Sequence, residues 1–271
     1  MRVAAGSSPA EGGDVELHPQ SIVDPSAELD RGVRVGPWTL IGPNVRLGAG
    51  TEVGPGALIE QNTRVGAGCT IGKGAVLGTD PQDLKYRGEE TFLEVGDRTV
   101  IREYATLHRG TSASGRTTVG DRCLLMAYTH VAHDCRLGNE VILANAVNMA
   151  GHVTIGDYAI VGGLTPIHQF VRIGTHAFVG GGSRVSQDVA PFSRVAGNPP
   201  KMYGLNSVGL ERRGVSQEVR SALKRAYRTV FLSGLNVSQG LERAREEAVD
   251  PASELLHFLD FIERSERGVT I

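Results

Sequence analysis

An aliphatic residue returns every six positions through most of this chain. The series runs Val23, Leu29, Val35, Ile41, Leu47, Val53, Ile59, Val65, Ile71 and Leu77, then Val95, Ile101 and Leu107, then Val119 through Val185 in the same phase. It contains 25 positions, and 14 of them are followed directly by glycine. A helix repeats at 3.6 residues and a strand at 2, so neither produces a lone apolar position at period six. A solenoid does, and the pattern predicts a mainly β chain wound as a hexapeptide-repeat parallel β-helix. Three hexads make one triangular coil of 18 residues, and each aliphatic side chain stacks on its counterpart one coil away, at about 4.8 Å. The narrow interior suits Val, Ile and Leu, and aromatics make up only 5% of the chain.

The beat is interrupted twice, at 78–94 and at 108–118, by polar segments after which the original phase returns. A loop thrown out of one corner of the coil has this effect, and loops on a rigid scaffold often carry binding residues. The coils are expected over 18–207. Residues 1–17 are read as a loose tail of small and polar residues, without the basic start and apolar run of a signal peptide. From 208 the beat gives way to helical spacing at Val219, Ala222, Leu223, Ala226 and Val230. A second cluster follows at Leu255, Leu256, Leu259 and Ile262 after a helix start at Asp250-Pro251, so 208–271 is expected to be a helical domain. Segment 201–228 holds seven basic residues against two acidic ones, a net of +5. A solvated helix face and a site for an acidic partner or phosphate both account for it.

Bulk charge excludes little: a net of −2 indicates neither nucleic acid nor an anionic membrane as a partner, and no stretch of 18 apolar residues could span a bilayer. Cys69, Cys123 and Cys135 are too few and scattered for a disulfide framework and read as reduced thiols of a cytoplasmic protein.

The histidines cluster. His130, His133, His152 and His168 lie within 39 residues. His133 to His152 spans 19 residues, one coil plus one, and His152 to His168 spans 16, one coil minus two. The three therefore fall on successive coils near one corner, outside the aliphatic interior. Asp134 beside His133 can fix its tautomer, and Gln169 follows His168. Gly162-Gly163 lies about a coil above Asn145, where free amides could receive an oxyanion. No serine or cysteine is placed to form a nucleophile pair with His133, and no phosphate-cradling GxxxxGK[ST] loop occurs. The chemistry left is a general base acting on a hydroxyl or amine that the substrate brings.

At this point the residues resemble a known family. LGTDPQDLKYRGE (77–89), HRG (108–110), HVAHDC (130–135), LAN (143–145), AGHVTIGDYAIVGG (150–163), IHQF (167–170) and GLERRG (209–214) together are similar to the UDP-N-acetylglucosamine O-acyltransferases that open lipid A biosynthesis. The resemblance implies a homotrimer of left-handed β-helices, although the usual crossover is right-handed. It implies transfer of an (R)-3-hydroxyacyl group from acyl carrier protein to the 3-hydroxyl of UDP-N-acetylglucosamine, with no metal or other cofactor. By motif match His133 is the base, Asp134 orients it and the Gly163 amide is the oxyanion donor. Gln82, Asp83, Lys85, His130, His152, His168, Gln169, Asn206, Arg212 and Arg213 match substrate contacts, and the basic segment suits an acidic carrier protein.

The family gauges acyl length along a groove whose matching stretch here is Phe178-Val179-Gly180-Gly181-Gly182. Gly181 in place of a bulky residue implies a long chain, while the Phe178 ring would oppose it. Val208 replaces a carboxylate that some members place near the nucleoside, and GNPPK (197–201) resembles a segment of acetyl-CoA-dependent enzymes. Two rival activities on the same scaffold are an acetyl- or succinyl-CoA transferase and the related N-acyltransferase. QDLKY and ERRG weigh against the first, and the early start of the coils weighs against the second.

Overall fold

The aliphatic series forms one continuous inner column in a computed structural model that describes residues 13–248 and 250–271. Of its 25 positions all but Val23 and Leu29, at the open end, are fully buried. The strands are mostly two residues long. They line up in three parallel sheets in which each strand pairs with the third strand before and after it, so three strands make a coil. The first sheet runs from Glu16–Leu17 through Phe178–Val179 and ends in an antiparallel hairpin, Ser193–Gly197 with Pro200–Leu205. The second and third sheets have eight strands each. The winding is that of a left-handed parallel β-helix.

Most corners share one local feature. The third residue after most of the aliphatic ones adopts a left-handed backbone, and non-glycine residues accept it at Trp38, Tyr104, Tyr128, Asp134, His152, Tyr158, Phe170 and elsewhere at the same six-residue phase. That conformation costs an L-residue roughly 1–2 kcal/mol, and it turns the chain at these corners.

A second inward position lies two residues before each aliphatic one and holds small residues: Thr39, Thr51, Ala57, Cys69, Thr99, Cys123, Cys135 and Val141 are all buried. Buried hydroxyls and thiols need partners, and several donate to a corner carbonyl of the next coil. Thr51 Oγ1 reaches Gly66 O at 2.8 Å, and Cys123 Sγ reaches Gly138 O at 3.1 Å. Burial pushes the thiols up, Cys69 and Cys123 to about 11 and Cys135 to about 12.

Paired residues across the first interruption are 30 apart (Thr70 with Val100) and across the second 24 apart (Val100 with Leu124). Subtracting the 18 of a plain coil leaves insertions of 12 and 6, both multiples of six, which is why the phase returns. The strands flanking the loops are longer than the sequence suggests, so the excursions occupy only 80–91 and 109–115. Both leave the corner between the second and third sheets.

The helices are α1 Ser207–Arg212, α2 Gln217–Phe231, α3 Val237–Glu246 and α4 Ser253–Glu263. Asn206, Ser216 and Asn236 cap the first three. In α2, Leu223, Ala226 and Val230 are buried as their spacing predicts. In α4 the buried face includes Phe258 and Phe261, and Leu256 faces out. The helix starts at Ser253, after Asp250-Pro251. The helical core packs on the last coil through Ala190 and Phe192. No helix among the described residues is long and apolar enough to cross a membrane.

Candidate active site

The corner between the second and third sheets collects the clustered histidines. His133-Asp134 follows the strand His130–Val131, Gly151-His152 follows Asn148–Met149, and His168-Gln169-Phe170 follows Pro166–Ile167. These three strands are successive in the second sheet, so the residues occupy three stacked turns. The coil arithmetic orders them: Asp134, His152 and Phe170 are 18 apart in one column, and His133, Gly151 and Gln169 in the adjoining one. The His152 and Phe170 rings stack at 4.5 Å, and the His133 ring meets His152 edge to face at 5.1 Å.

His133 Nδ1 lies 2.8 Å from Asp134 Oδ2. The Asp134 side chain is fully buried, and its other partners come from the second insertion. Thr111 donates its amide to Oδ1 at 3.0 Å and its hydroxyl to Oδ2 at 2.8 Å, and the Ser114 hydroxyl also donates to Oδ1. Burial pushes this carboxyl up, but the hydrogen bonds from Ser114, His133 and Thr111 outweigh it and hold the group at about 2. At neutral pH Asp134 is therefore an anion and can only accept. Nδ1 of His133 must therefore be the donor, which leaves Nε2 as the ring nitrogen that the carboxylate does not engage.

A depressed carboxyl is also a stability statement. The contribution, about 2 kcal/mol for a shift of this size, is complete above the unfolded pKa near 4 and lost as pH falls through about 2. Thr111→Val removes one donor and should raise the native pKa, so acid unfolding followed by circular dichroism is expected to begin at higher pH than in the wild type. Superimposable curves would mean that this hydroxyl does not hold the carboxylate.

His130 faces outward from the second sheet, with Nδ1 2.8 Å from Thr106 Oγ1 and its ring edge-on to His108 at 5.1 Å. Burial, then the neighbouring His108 and His133, lower His130 to about 4, so it is neutral at pH 7. Burial likewise lowers His108. The loop bearing Gln82, Asp83 and Lys85 rises from the same corner below, and Asp83 Oδ1 accepts the Lys85 amide at 2.9 Å. Its anchor is Arg109, which is buried and donates to the Gly78 carbonyl, the Asp80 carboxylate and the Tyr86 hydroxyl.

Gly163 is not at this corner. It follows Ile160–Val161 in the first sheet, so within one chain it sits at the corner between the first and second sheets, over Asn145. It is 30 residues from His133, one coil and two further sides. The glycine beside the imidazole is Gly151, one full coil on: a Cβ added there would lie 2.5 Å from His133 Cε1. The Gly151 amide has no acceptor among the described residues. Gly181 stacks above Gly163 at that other corner, and Phe178 lies on the outer face of the first sheet.

Asn206, Arg212 and Arg213 belong to the ends of α1, away from the histidine corner. Asn206 is used as a cap, accepting from Gly209 N and donating to His176 O at 3.0 Å. Arg213 pairs with Glu140 and lies over the Tyr158 ring at 4.7 Å, which pins α1 to the corner between the third and first sheets. Arg212 is exposed. Sequence reasoning missed Thr111, Ser114 and Arg109, whose polar character is unremarkable in a loop, and Gly151, which coil spacing alone could have found.

Among the described residues, His133, Asp134 and His152 bring three atoms able to ligate a metal within 4.8 Å of one another. Both carboxylate oxygens are already engaged by hydroxyl, amide and imidazole donors, an arrangement that suits orienting a ring.

The left-handed coil with an oriented imidazole at one corner is that of a hexapeptide-repeat acyltransferase, the class to which its relatives belong. A family model described as UDP-N-acetylglucosamine O-acyltransferase, domain 2, matches residues 188–270. Two curated relatives are named acyl-[acyl-carrier-protein]–UDP-N-acetylglucosamine O-acyltransferase. That of Chlorobium phaeobacteroides is 65% identical over 247 residues, covering 90% of this chain and 94% of its own. That of Alkalilimnicola ehrlichii is 51% identical over 254 residues, covering 93% and 98%. The solved structure of LpxA from Acinetobacter baumannii superposes with a TM-score of 0.91 at 41% identity, covering 94% of this chain and 99% of that one. The chain belongs to the UDP-N-acetylglucosamine O-acyltransferase family.

Proposed function

We propose that the protein moves an (R)-3-hydroxyacyl group from acyl carrier protein to the 3-hydroxyl of UDP-N-acetylglucosamine, the first step of lipid A synthesis, in the cytoplasm. The observation that carries this reading is the His133–Asp134 pair, with the carboxylate locked from the other side by Thr111 and Ser114. His133 Nε2 takes the proton of the sugar 3-hydroxyl as its oxygen attacks the thioester carbonyl carbon. Asp134 offsets the imidazolium charge. The carbonyl oxygen becomes an oxyanion, and the Gly151 amide is the donor best situated to receive it. Collapse reforms the carbonyl and breaks the carbon–sulfur bond. The imidazolium proton goes to the departing thiolate, so the base is regenerated.

His130, His152, His168, Gln169 and the 80–91 loop then line the sugar-nucleotide side. The residues of the other two corners, Phe178, Gly181, Asn206, Arg212 and Arg213, enter the same cleft from a neighbouring copy in a homotrimer. An apolar column supports such an assembly: Val100, Leu124, Ile142, Ile160 and Phe178 are in register on the outer face of the first sheet and only partly covered. Nearby, Trp38, Tyr128 and Leu164 are more than 60% exposed. The basic face of α2, with Arg220, Lys224 and Arg228 around an open cleft, suits the acidic carrier protein.

The test is transfer from a series of (R)-3-hydroxyacyl carrier proteins to UDP-N-acetylglucosamine, with acetyl-CoA and the 3-amino sugar nucleotide as competitors. Carrier-protein-dependent ester formation, with preference for the longer chains that Gly181 leaves room for, is expected. Transfer from acetyl-CoA alone, or to the amine alone, would replace this reading with one of its rivals.

A further inference from the structure

The chain's last residues return to the histidine corner. After α4 the segment 265–270 is fastened to the final coil. Ser265 Oγ donates to the buried Asp188 carboxylate at 2.8 Å, Asp188 N reaches Gly268 O at 3.0 Å, and Thr270 N reaches Asp188 O at 2.8 Å. Arg172 adds a bond from its guanidinium to Arg264 O at 2.9 Å. This fastening delivers Arg267 to the corner. Its Nε donates to Ser186 O at 3.3 Å, and its NH2 lies 3.2 Å from His168 Nδ1.

His168 Nδ1 has two competing neighbours, Arg267 and the Gln169 carbonyl, each at 3.2 Å. A guanidinium is always protonated and can only donate. When Arg267 holds Nδ1, that nitrogen must present its lone pair, so the ring proton sits on Nε2 and the outer nitrogen becomes a donor. When the Gln169 carbonyl holds Nδ1, the proton sits there and Nε2 becomes an acceptor. Arg267 thus competes with the Gln169 carbonyl over the tautomer, and it adds donors of its own beside an exposed imidazole two coils from His133, about 10 Å at the usual strand spacing.

We propose that Arg267 and His168 form an anion-binding position for a phosphate ester, and that Arg267 is a positioning residue which makes His168 a donor. The proposal rests on the function assigned above for its source of phosphate: the pyrophosphate of the sugar nucleotide, or the phosphodiester of the carrier protein's pantetheine arm. Donors converging on an oxyanion that never changes bonding act equally in ground and transition states, so their loss raises KM and leaves kcat alone.

The full-length enzyme, Arg267→Gln and Arg267→Lys would be compared in two measurements. In steady-state transfer, Arg267→Gln is expected to raise KM about ten-fold for one of the two substrates, as loss of a charge-assisted hydrogen bond implies. Whichever KM moves identifies the phosphate, kcat should stay within about two-fold, and lysine should restore part of the loss. In nitrogen-15 spectra of histidine-labelled protein, His168 should carry its proton on Nε2 in the wild type and on Nδ1 in Arg267→Gln. Inorganic pyrophosphate should shift the wild-type signal only. Unchanged KM for both substrates with an unchanged tautomer would overturn the proposal. A wild-type protein that responded to pyrophosphate but transferred no acyl group would overturn the assigned reaction and leave the anion position standing.

Discussion

His133→Ala is expected to lower kcat by about 10³-fold, within the range that a positioned general base contributes, while the protein stays folded. Nothing else in the site takes over the proton. His130 is lowered to about 4 by burial first and then by the neighbouring His108 and His133, so its ring is a weak base, and its Nδ1 is hydrogen-bonded to Thr106. His152 is 3.8 Å from Asp134 Oδ2 and is stacked flat on Phe170. In the proposed mechanism deprotonation occurs only as the sugar oxygen attacks, so kcat and kcat/KM should fall together with little change in KM. The coil does not depend on this ring, which lies outside the aliphatic column, so thermal unfolding should stay close to wild type. Asp134→Asn keeps the imidazole and should cost less turnover than His133→Ala. Turnover of His133→Ala within a few-fold of the wild type would remove the base from the mechanism.

The fold was legible because the inward aliphatic column is repeated at a period nothing else produces, and because insertions of 12 and 6 residues preserve its phase. The second inward position was not legible. Thr51 and Thr99 look like surface residues, and only the carbonyl of the next coil, found in three dimensions, makes their burial affordable. The histidine corner could be read by counting in units of 18, which put His133, His152 and His168 on successive turns. The same count separates Gly163, which the motif likeness had offered as oxyanion donor, from His133 within one chain and brings Gly151 beside the ring instead. Contacts that depend on how loops and termini fold back left no periodic trace. Thr111 and Ser114 on Asp134, and Arg267 on His168, are of this kind.

Gly151→Ala probes that corner most sharply after loss of the base itself. The added methyl would stand 2.5 Å from His133 Cε1, 2.7 Å from Nε2 and 3.1 Å from Nδ1, so it overlaps the ring. The backbone at Gly151 is not left-handed, so alanine suits the chain and the conflict falls on the imidazole. The ring is tethered on one side only, through Nδ1 to Asp134, and it is the softer element against a rung whose neighbouring amides His152 N and Phe170 N are bonded to His133 O and Gly151 O. It therefore swings away. A displacement of about 1 Å in a positioned catalytic group costs on the order of 10²-fold in rate, and that loss in kcat is expected here with the circular dichroism of the wild type. Because the alanine amide remains, the experiment separates the position of the base from the oxyanion donor. Full activity in Gly151→Ala would mean that transfer does not need Nε2 where the Asp134 bond holds it, and the orienting role of the carboxylate would go with it.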